Sequence, residues 1–297
     1  MLSILIPTFN HCVVNLVNEL HKQCKENDIV FEILILDDSS TNKEISLNNM
    51  NLNRLFNVSY RIIKNNIGRS AIRNKLCQES KYEWILFLDA DVKINSKKFL
   101  SNYLYSIKDN SKVIYGGISY SEKTPRKEQI LRWKYGKKRE SRSLNSRIKN
   151  PYLSLLSSNF IIQKKIITKT PFNEKVSKKA NEDSLFSFDL KSNKIHITHV
   201  DNPVFHESLE NSSIFLEKTL EFAKASLFFS QSNLIDKNYM KITRIYFTLK
   251  KLKLVSIFKY VYVYFGDVFK NQLISKKPSL FIFDLYRLSY ICYISKD

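Results

Sequence analysis

Three acidic clusters stand where carboxylates could handle a metal ion or a proton: Asp37-Asp38 in LDDSS, Asp89-Ala90-Asp91 in FLDADV, and Glu182-Asp183 in NEDS. The first two follow the apolar, β-rich runs FEILIL and EWILFL, so their carboxylates fall where a strand gives way to a turn. Carboxylates at a strand terminus can hold a hard divalent cation through oxygen ligands while that ion also binds diphosphate oxygens. Spacing alone does not decide this, because acidic residues also end strands simply where turns follow. His206 in NPVFHE reads either as a cap at a strand end or as a metal ligand, and imidazole suits Mn²⁺ better than Mg²⁺. The basic run WKYGKKRESRSLNSRIKN (133–150) carries Tyr135, Lys137, Lys138, Arg139, Arg142 and Arg147. Guanidinium groups there could grip phosphate in bidentate fashion, or the run could be a solvated charged face.

The elements that must position these side chains alternate along the first third of the chain. SILIPTF (3–9), FEILILDDSS (31–40), YRIIK (60–64) and EWILFLDADV (83–92) read as strands, with a helical stretch to about residue 27 and a glycine-led helix, GRSAIRNKLCQES (68–80), between them. Buried strands alternating with helices predict a parallel sheet, in which ligands sit at the carboxyl ends, so DDSS and DADV should face one crevice. Further on, the pattern predicts a helix over 97–109 and a strand over 113–120, whose glycine pair marks a close backbone approach. The basic run then reads as a loop or solvated helix, a mobile insertion near the site; a strand over 157–167, a helix over 181–192 and a final strand over 195–200 follow.

From about residue 211 to 297 the chain reads as amphipathic helices, giving an expected division into a catalytic domain at 1–210 and a helical region at 211–297. Apolar runs stay short of 18 residues, so a spanning segment is not expected; packing, an oligomer contact or peripheral membrane association all fit these helices.

The 297 residues hold 48 Lys and Arg against 28 Asp and Glu, a net charge of +20 that would attract polyanions, anionic lipid or phosphorylated substrates. Strand-end carboxylates repel phosphate without an intervening metal, so nucleic acid is not the expected partner. A nucleotidyltransferase is the nearer rival, but PTFNHC after the first strand lacks a glycine-rich phosphate loop. A non-enzymatic polyanion- or membrane-binding protein would account only for the charge and the C-terminal helices. The four cysteines show no CxxC spacing, and Met1 leads straight into a strand, so a cytoplasmic protein, at or near the inner face of the membrane, is expected.

Taken in order, IPTFN, LDDSS, NNIGRSAIRN, FLDADV, SSNF, NED and VFH resemble the family 2 glycosyltransferases over roughly residues 1–210. The resemblance implies an α/β GT-A fold, a Rossmann-like, mostly parallel sheet flanked by helices, here with a C-terminal helical extension. It implies inverting transfer of a sugar from a nucleotide-diphosphate sugar, UDP being expected, to a hydroxyl of a glycan or lipid-linked acceptor, with Mn²⁺ or Mg²⁺, as in cell-surface polysaccharide synthesis. By the same resemblance Pro7, Thr8, Asn10, Asp37 and Asp38 cradle the nucleotide, Asp38 bonding the base, while Gly68, Arg73 and Asn74 brace that pocket. Asp89 then lies near ribose and metal, Asp91 is the main metal ligand, and His206 meets the metal or diphosphate. Asp183 matches the catalytic base and Glu182 supports base or acceptor, with Arg139, Arg142 and Arg147 in an acceptor or diphosphate loop. One carboxylate suffices for in-line displacement, because the acceptor hydroxyl must lose its proton on the sugar face opposite the leaving group. Two departures stand out: DDSS replaces the more usual DDGS, and the QxxRW of processive synthases is absent, so a single transfer per encounter is expected.

Overall fold

The computed structural model describes residues 1–175 and 181–295. In chain order the elements are β1 (Leu2–Thr8), α1 (Val14–Glu26), β2 (Phe31–Asp37), α2 (Lys43–Met50), β3 (Val58–Ile62), α3 (Arg69–Glu79), β4 (Trp84–Leu88), β5 (Val92–Lys93), α4 (Phe99–Ser106), β6 (Val113–Tyr115) and β7 (Ile118–Ser119). There follow α5 (Ile130–Tyr135), α6 (Leu144–Lys149), β8 (Asn159–Gln163), α7 (Lys164–Lys169), α8 (Glu182–Ser192), β9 (Ile197–His199), β10 (Val204–His206), α9 (Ser212–Gln231), α10 (Lys241–Lys251), α11 (Val255–Leu273) and α12 (Leu280–Ile294). Two compact units result. One gathers Met1–Tyr120, the described part of 140–178 and Glu182–Ser208; the other gathers Ser121–Arg139, Asn181 and the described chain from Leu209 onward.

In the first unit, the near-continuous apolar runs do what runs buried on both faces do and form the middle of a sheet. Among the described residues its order is β3-β2-β1-β4-β8-β6-β9, with β8 antiparallel to β4 and β6 and the other pairs parallel. Because β2 and β4 flank β1 in parallel, the Asp37 and Asp89 ends reach the same sheet edge; Thr8 lies level with Asp37, and the Asp38 N–H reaches the Thr8 carbonyl at 2.8 Å. The core behind that edge is aromatic: Phe87 stacks on Phe160 with centroids 5.1 Å apart, and Phe172 on Phe186 at 4.2 Å. Each ring is shielded from water, worth roughly 1.5–3 kcal/mol of burial.

Several boundaries differ from the sequence expectation. The strand expected over 113–120 breaks at its glycine pair, because Tyr103 and Asn202 crowd it: a Cβ on Gly116 would sit 2.4 Å from the Asn202 carbonyl and from the Tyr103 hydroxyl, and Gly117 has φ +98°. The chain thus leaves the central sheet and enters a second one, β5-β10-β7, in which His206 pairs with Val92. The run 195–200 is therefore not the final strand; VFH is. The strand expected over 157–167 stops at Gln163 and turns into α7. The helix α2, capped by Asn42 Oδ1 accepting from the Ile45 N–H at 3.2 Å, had no counterpart in the periodicity.

A further difference concerns the basic run. Of the loop or solvated helix expected there, the structure has helix: the run continues α5 through a five-residue π-helical stretch, Gly136–Glu140, and then forms α6. Lys137 lies over the Trp133 ring and Lys134 donates to the Pro278 carbonyl, contacts that apolar periodicity cannot reveal. The Arg147 guanidinium, 2% exposed, lies over Tyr115 and donates to the Tyr115, Val200 and Arg142 carbonyls at 3.0–3.3 Å.

The second unit is helical in its described residues. Its cores join Ala223 and Leu227 of α9, Tyr246 of α10, and Ile291 and Cys292 of α12 in one cluster, and Leu131 of α5, Phe215 of α9 and Phe283 and Tyr286 of α12 in another. No helix among the described residues is long and apolar enough to cross a membrane. The last two positions of the expected 211–297 region lie outside the described residues.

Candidate active site

The turn after β2 is built by its own carboxylates. Asp37 accepts from the Ser40 N–H at 2.7 Å and from the Tyr60 hydroxyl, which burial pushes above its ordinary value. Asp38, 6% exposed, accepts the Ile67 N–H at 2.7 Å and the Gly68 N–H at 2.9 Å. Those bonds hold Gly68 at φ +87°, a conformation glycine takes without strain, and so aim α3. Asn10, itself at φ +50°, ties β1 to the same turn: its side-chain oxygen accepts from the Thr41 and Asn42 N–H groups at 2.8 and 3.0 Å. Thr8 donates its hydroxyl to the His11 carbonyl at 3.2 Å, and Pro7 sits beside it, level with Leu36.

One turn into α3, Arg69 and Arg73 share a helix face at i, i+4. Arg73 is 4% exposed and bridges two acids, donating to Asp89 Oδ1 at 2.7 Å and to Glu182 Oε1 at 3.3 Å. Burial opposes its charge, but Asp89 and Glu182 outweigh burial and hold the guanidinium above its ordinary value. Arg69 lies 3.6 Å from the same Glu182 oxygen, and that carboxylate raises its pKa in turn. Glu182 is thus a buried brace for two arginines. Asn74, next on the helix, is committed elsewhere, clasping the Phe172 backbone N–H and carbonyl at 3.0 and 2.8 Å and Glu174 at 2.7 Å.

Asp183 differs from the rest. Its Oδ2 accepts the Ser157 N–H at a long 3.3 Å, while Oδ1 is shielded from water and has no hydrogen-bond partner among the described residues. Burial first, then the negative charge of Glu182, push its pKa up to about 6, against the pull of Arg73. A carboxylate with an open lone pair and a raised proton affinity has the properties of a general base working near neutral pH.

Asp91 and His206 form a separate pair, Oδ2 to Nε2 at 3.4 Å, because β5 and β10 run side by side. The imidazole stacks on Tyr120 with centroids 5.2 Å apart and planes 15° apart, so its ring orientation is fixed. One carboxylate and one imidazole are donors that a borderline divalent ion would accept. Asp89 is turned to Arg73 instead, and among the described residues no group of three or more acidic, histidine or cysteine side chains could hold a metal alone.

The sequence matches the family described as Glycosyl transferase family 2 over residues 3–169. The chain belongs to that family. A poly(ribitol-phosphate) beta-N-acetylglucosaminyltransferase, TarP of Staphylococcus aureus (strain N315), is 26% identical over 209 residues, covering 64% of this chain and 57% of that protein. A poly(ribitol-phosphate) beta-glucosyltransferase of Bacillus spizizenii is 32% identical over 126 residues, 39% of this chain and 19% of that one. This chain therefore spans little over half the length of the first and a fifth of the second. The crystal structure of S. aureus TarS 1-349 in complex with UDP-GlcNAc superposes with a TM-score of 0.50 at 22% identity, covering 89% of this chain and 73% of that one. That likeness is one of fold, and the fold of this family member is GT-A.

Within that fold, Asp38, Gly68, Arg73, Asp89, Glu182 and Asp183 are linked by direct contacts or through Arg73, and Asp91 and His206 by their own. The three loop arginines have different contacts. Arg147 donates to backbone carbonyls, Arg142 reaches Ser154 at 3.4 Å, and Arg139, in the second unit, pairs with Asp284 at 2.7 Å. Arg69, Tyr120 and the Ser157 N–H were missing from the sequence reading. Of these only Arg69 left a signal, its i, i+4 spacing from Arg73.

Proposed function

We propose that this chain is a metal-assisted, inverting glycosyltransferase that moves one sugar from a nucleoside-diphosphate sugar to an acceptor hydroxyl. The observation that carries the reading is Asp183, a shielded carboxylate with an open oxygen beside an acid–arginine cluster at the carboxyl edge of the sheet. Asp183 takes the proton from the acceptor hydroxyl as its oxygen bonds to the anomeric carbon. The bond from that carbon to the diphosphate oxygen breaks, and the diphosphate leaves with the electron pair, so the anomeric centre inverts. A divalent ion, Mn²⁺ or Mg²⁺, held by Asp91 and His206, would neutralise the charge on the departing diphosphate. Asp37, Asp38 and Asn10 shape the edge at which the nucleotide would lie, and Arg73 keeps Asp89 and Glu182 in place.

The proposed donor is a UDP-sugar, UDP-GlcNAc and UDP-glucose being the ones to test, and the proposed acceptor a hydroxyl of a poly(ribitol-phosphate)-type polymer; the UDP-GlcNAc complex of TarS and the poly(ribitol-phosphate) in the two relatives' names support this reading. The net charge of +20 suits such an anionic polymer, which a positive surface would concentrate. Sugar transfer from each UDP-sugar to poly(ribitol-phosphate), followed with Mn²⁺ and with EDTA, tests the reading. Metal-dependent transfer giving a product of opposite anomeric configuration supports it. Retention of configuration, or calorimetry detecting neither UDP nor UDP-sugar in the presence of Mn²⁺, would sink it.

A further inference from the structure

Helix α11 is apolar on two opposite faces, unlike an ordinary surface helix with one apolar stripe. One face turns Phe258, Tyr262, Phe269 and Leu273 into the cores of the second unit, with Tyr262 against Tyr286, Tyr290 and Tyr293 at centroid distances of 5.6, 5.4 and 5.0 Å. The other face lines up Ile257, Tyr260, Tyr264 and Val268, spaced as successive turns of one helix face, and their exposures are 57, 60, 72 and 60%. Phe265 on one flank and Val263 on the other, both more than half exposed, widen the stripe. A contiguous patch of large apolar side chains on a surface marks a place where something binds.

The charges around the stripe identify the occupant. Lys250, Lys251 and Lys253 precede α11, Lys259 and Lys270 lie along it, and Lys276 and Lys277 follow it, against the single acid Asp267 between residues 250 and 277. A 19-residue helix is about 28 Å long at 1.5 Å per residue, so lysines bracket both ends of the apolar face. A second copy docked on this face would bring two such lysine sets together, and like charges disfavour that. An apolar, tyrosine-rich stripe between basic ends, on a helix that does not span, fits the headgroup layer of an anionic bilayer.

We infer that α11 docks flat on an anionic phospholipid surface, its Ile257–Tyr260–Tyr264–Val268 stripe in the boundary between headgroups and acyl chains and the bracketing lysines on lipid phosphates. The docking goes beyond the proposed reaction and uses none of its residues, so either can fail alone. The test is co-sedimentation of the full chain with vesicles of phosphatidylcholine, and of phosphatidylcholine mixed with phosphatidylglycerol, at low and high salt. Binding is expected to the mixed vesicles only and to weaken with salt. The triple variant Tyr260→Ser/Tyr264→Ser/Val268→Ser should lower the partition coefficient at least about tenfold while keeping the wild-type circular dichroism and melting curve. Lys250→Gln/Lys251→Gln/Lys253→Gln should weaken binding less and flatten its salt dependence. No binding to the mixed vesicles, or equal binding by a folded triple variant, overturns the inference. So does a wild-type dimer in sedimentation that the triple variant abolishes without any vesicle binding, which would make a second copy the occupant.

Discussion

The two acidic strand ends, Asp37-Asp38 after β2 and Asp89-Ala90-Asp91 after β4, look alike as sequence and have opposite fates. At the first, both side chains are buried and every carboxylate oxygen accepts a hydrogen bond from the Ser40, Ile67 or Gly68 N–H or from the Tyr60 hydroxyl. At the second, the Asp89 and Asp91 side chains stay 32% and 38% exposed and face side chains, Arg73 and His206. Backbone donors turn carboxylates into scaffold. Side-chain partners on other elements leave them in reach of solvent and ligand. A different contrast separates Glu182, buried against the Arg69 and Arg73 side chains, from its neighbour Asp183, whose Oδ1 has no hydrogen-bond partner among the described residues.

The largest effect that would break this division is expected at Asp183. Asp183→Asn should cut transfer by roughly 10²–10⁴-fold, the usual range for losing a general base, with UDP affinity by calorimetry little changed. Equal losses on replacing Glu182 and Asp183 by their amides, both with intact UDP binding, would erase the distinction between brace and base. At the first strand end, Asp38→Ala leaves the Ile67 and Gly68 N–H groups without their acceptor and should cost about 2 kcal/mol in urea unfolding, with a fall in UDP affinity. At the second, Asp91→Ala should leave the unfolding midpoint near wild type but weaken UDP binding about tenfold in Mn²⁺, the difference vanishing in EDTA. Reversal of those two phenotypes would invert the comparison.

The smallest effects are pH dependences of Asp183. With Asp183 as the proposed base, kcat/KM should rise with pH to a plateau above about 6 and fall about tenfold per unit below it. Stability runs the other way. A carboxyl raised from 3.8 to about 6 on folding is bound to its proton more tightly in the native chain, a contribution fully present below 3.8 and lost as pH rises through about 6. Asp183→Asn should therefore gain stability relative to wild type between pH 4 and 7, measured as the difference in Tm, and a constant difference over that window would contradict the burial of the charge.

Much of the scaffold was legible because apolar runs carry their own period. FEILIL and EWILFL could only be buried strands, and GRSAIRN announced its helix by its glycine. The break at Gly116-Gly117 was signalled as a close approach, but its partners, the Tyr103 hydroxyl and Asn202 carbonyl, come from α4 and from the loop before β10. Within the basic run the burial of Arg147 was missed for a related reason: it is buried by carbonyls of Tyr115 and Val200, and a guanidinium that satisfies its donors inside the fold looks in sequence like one that points into water.

By itself the sequence determined the alternation of strands and helices in the first third of the chain, the acidic ends of β2 and β4 and the start of α8, since each follows from local hydrophobic period and turn chemistry. Only the tertiary structure decided which acids became scaffold and which stayed open. Asp38 meets Ile67 and Gly68, Arg73 meets both Asp89 and Glu182, and His206 meets Asp91, across gaps of 16 to 115 residues that no local pattern encodes. The reason is that the availability of a carboxylate is a property of the donors facing it, and those donors arrive with the packing of distant elements.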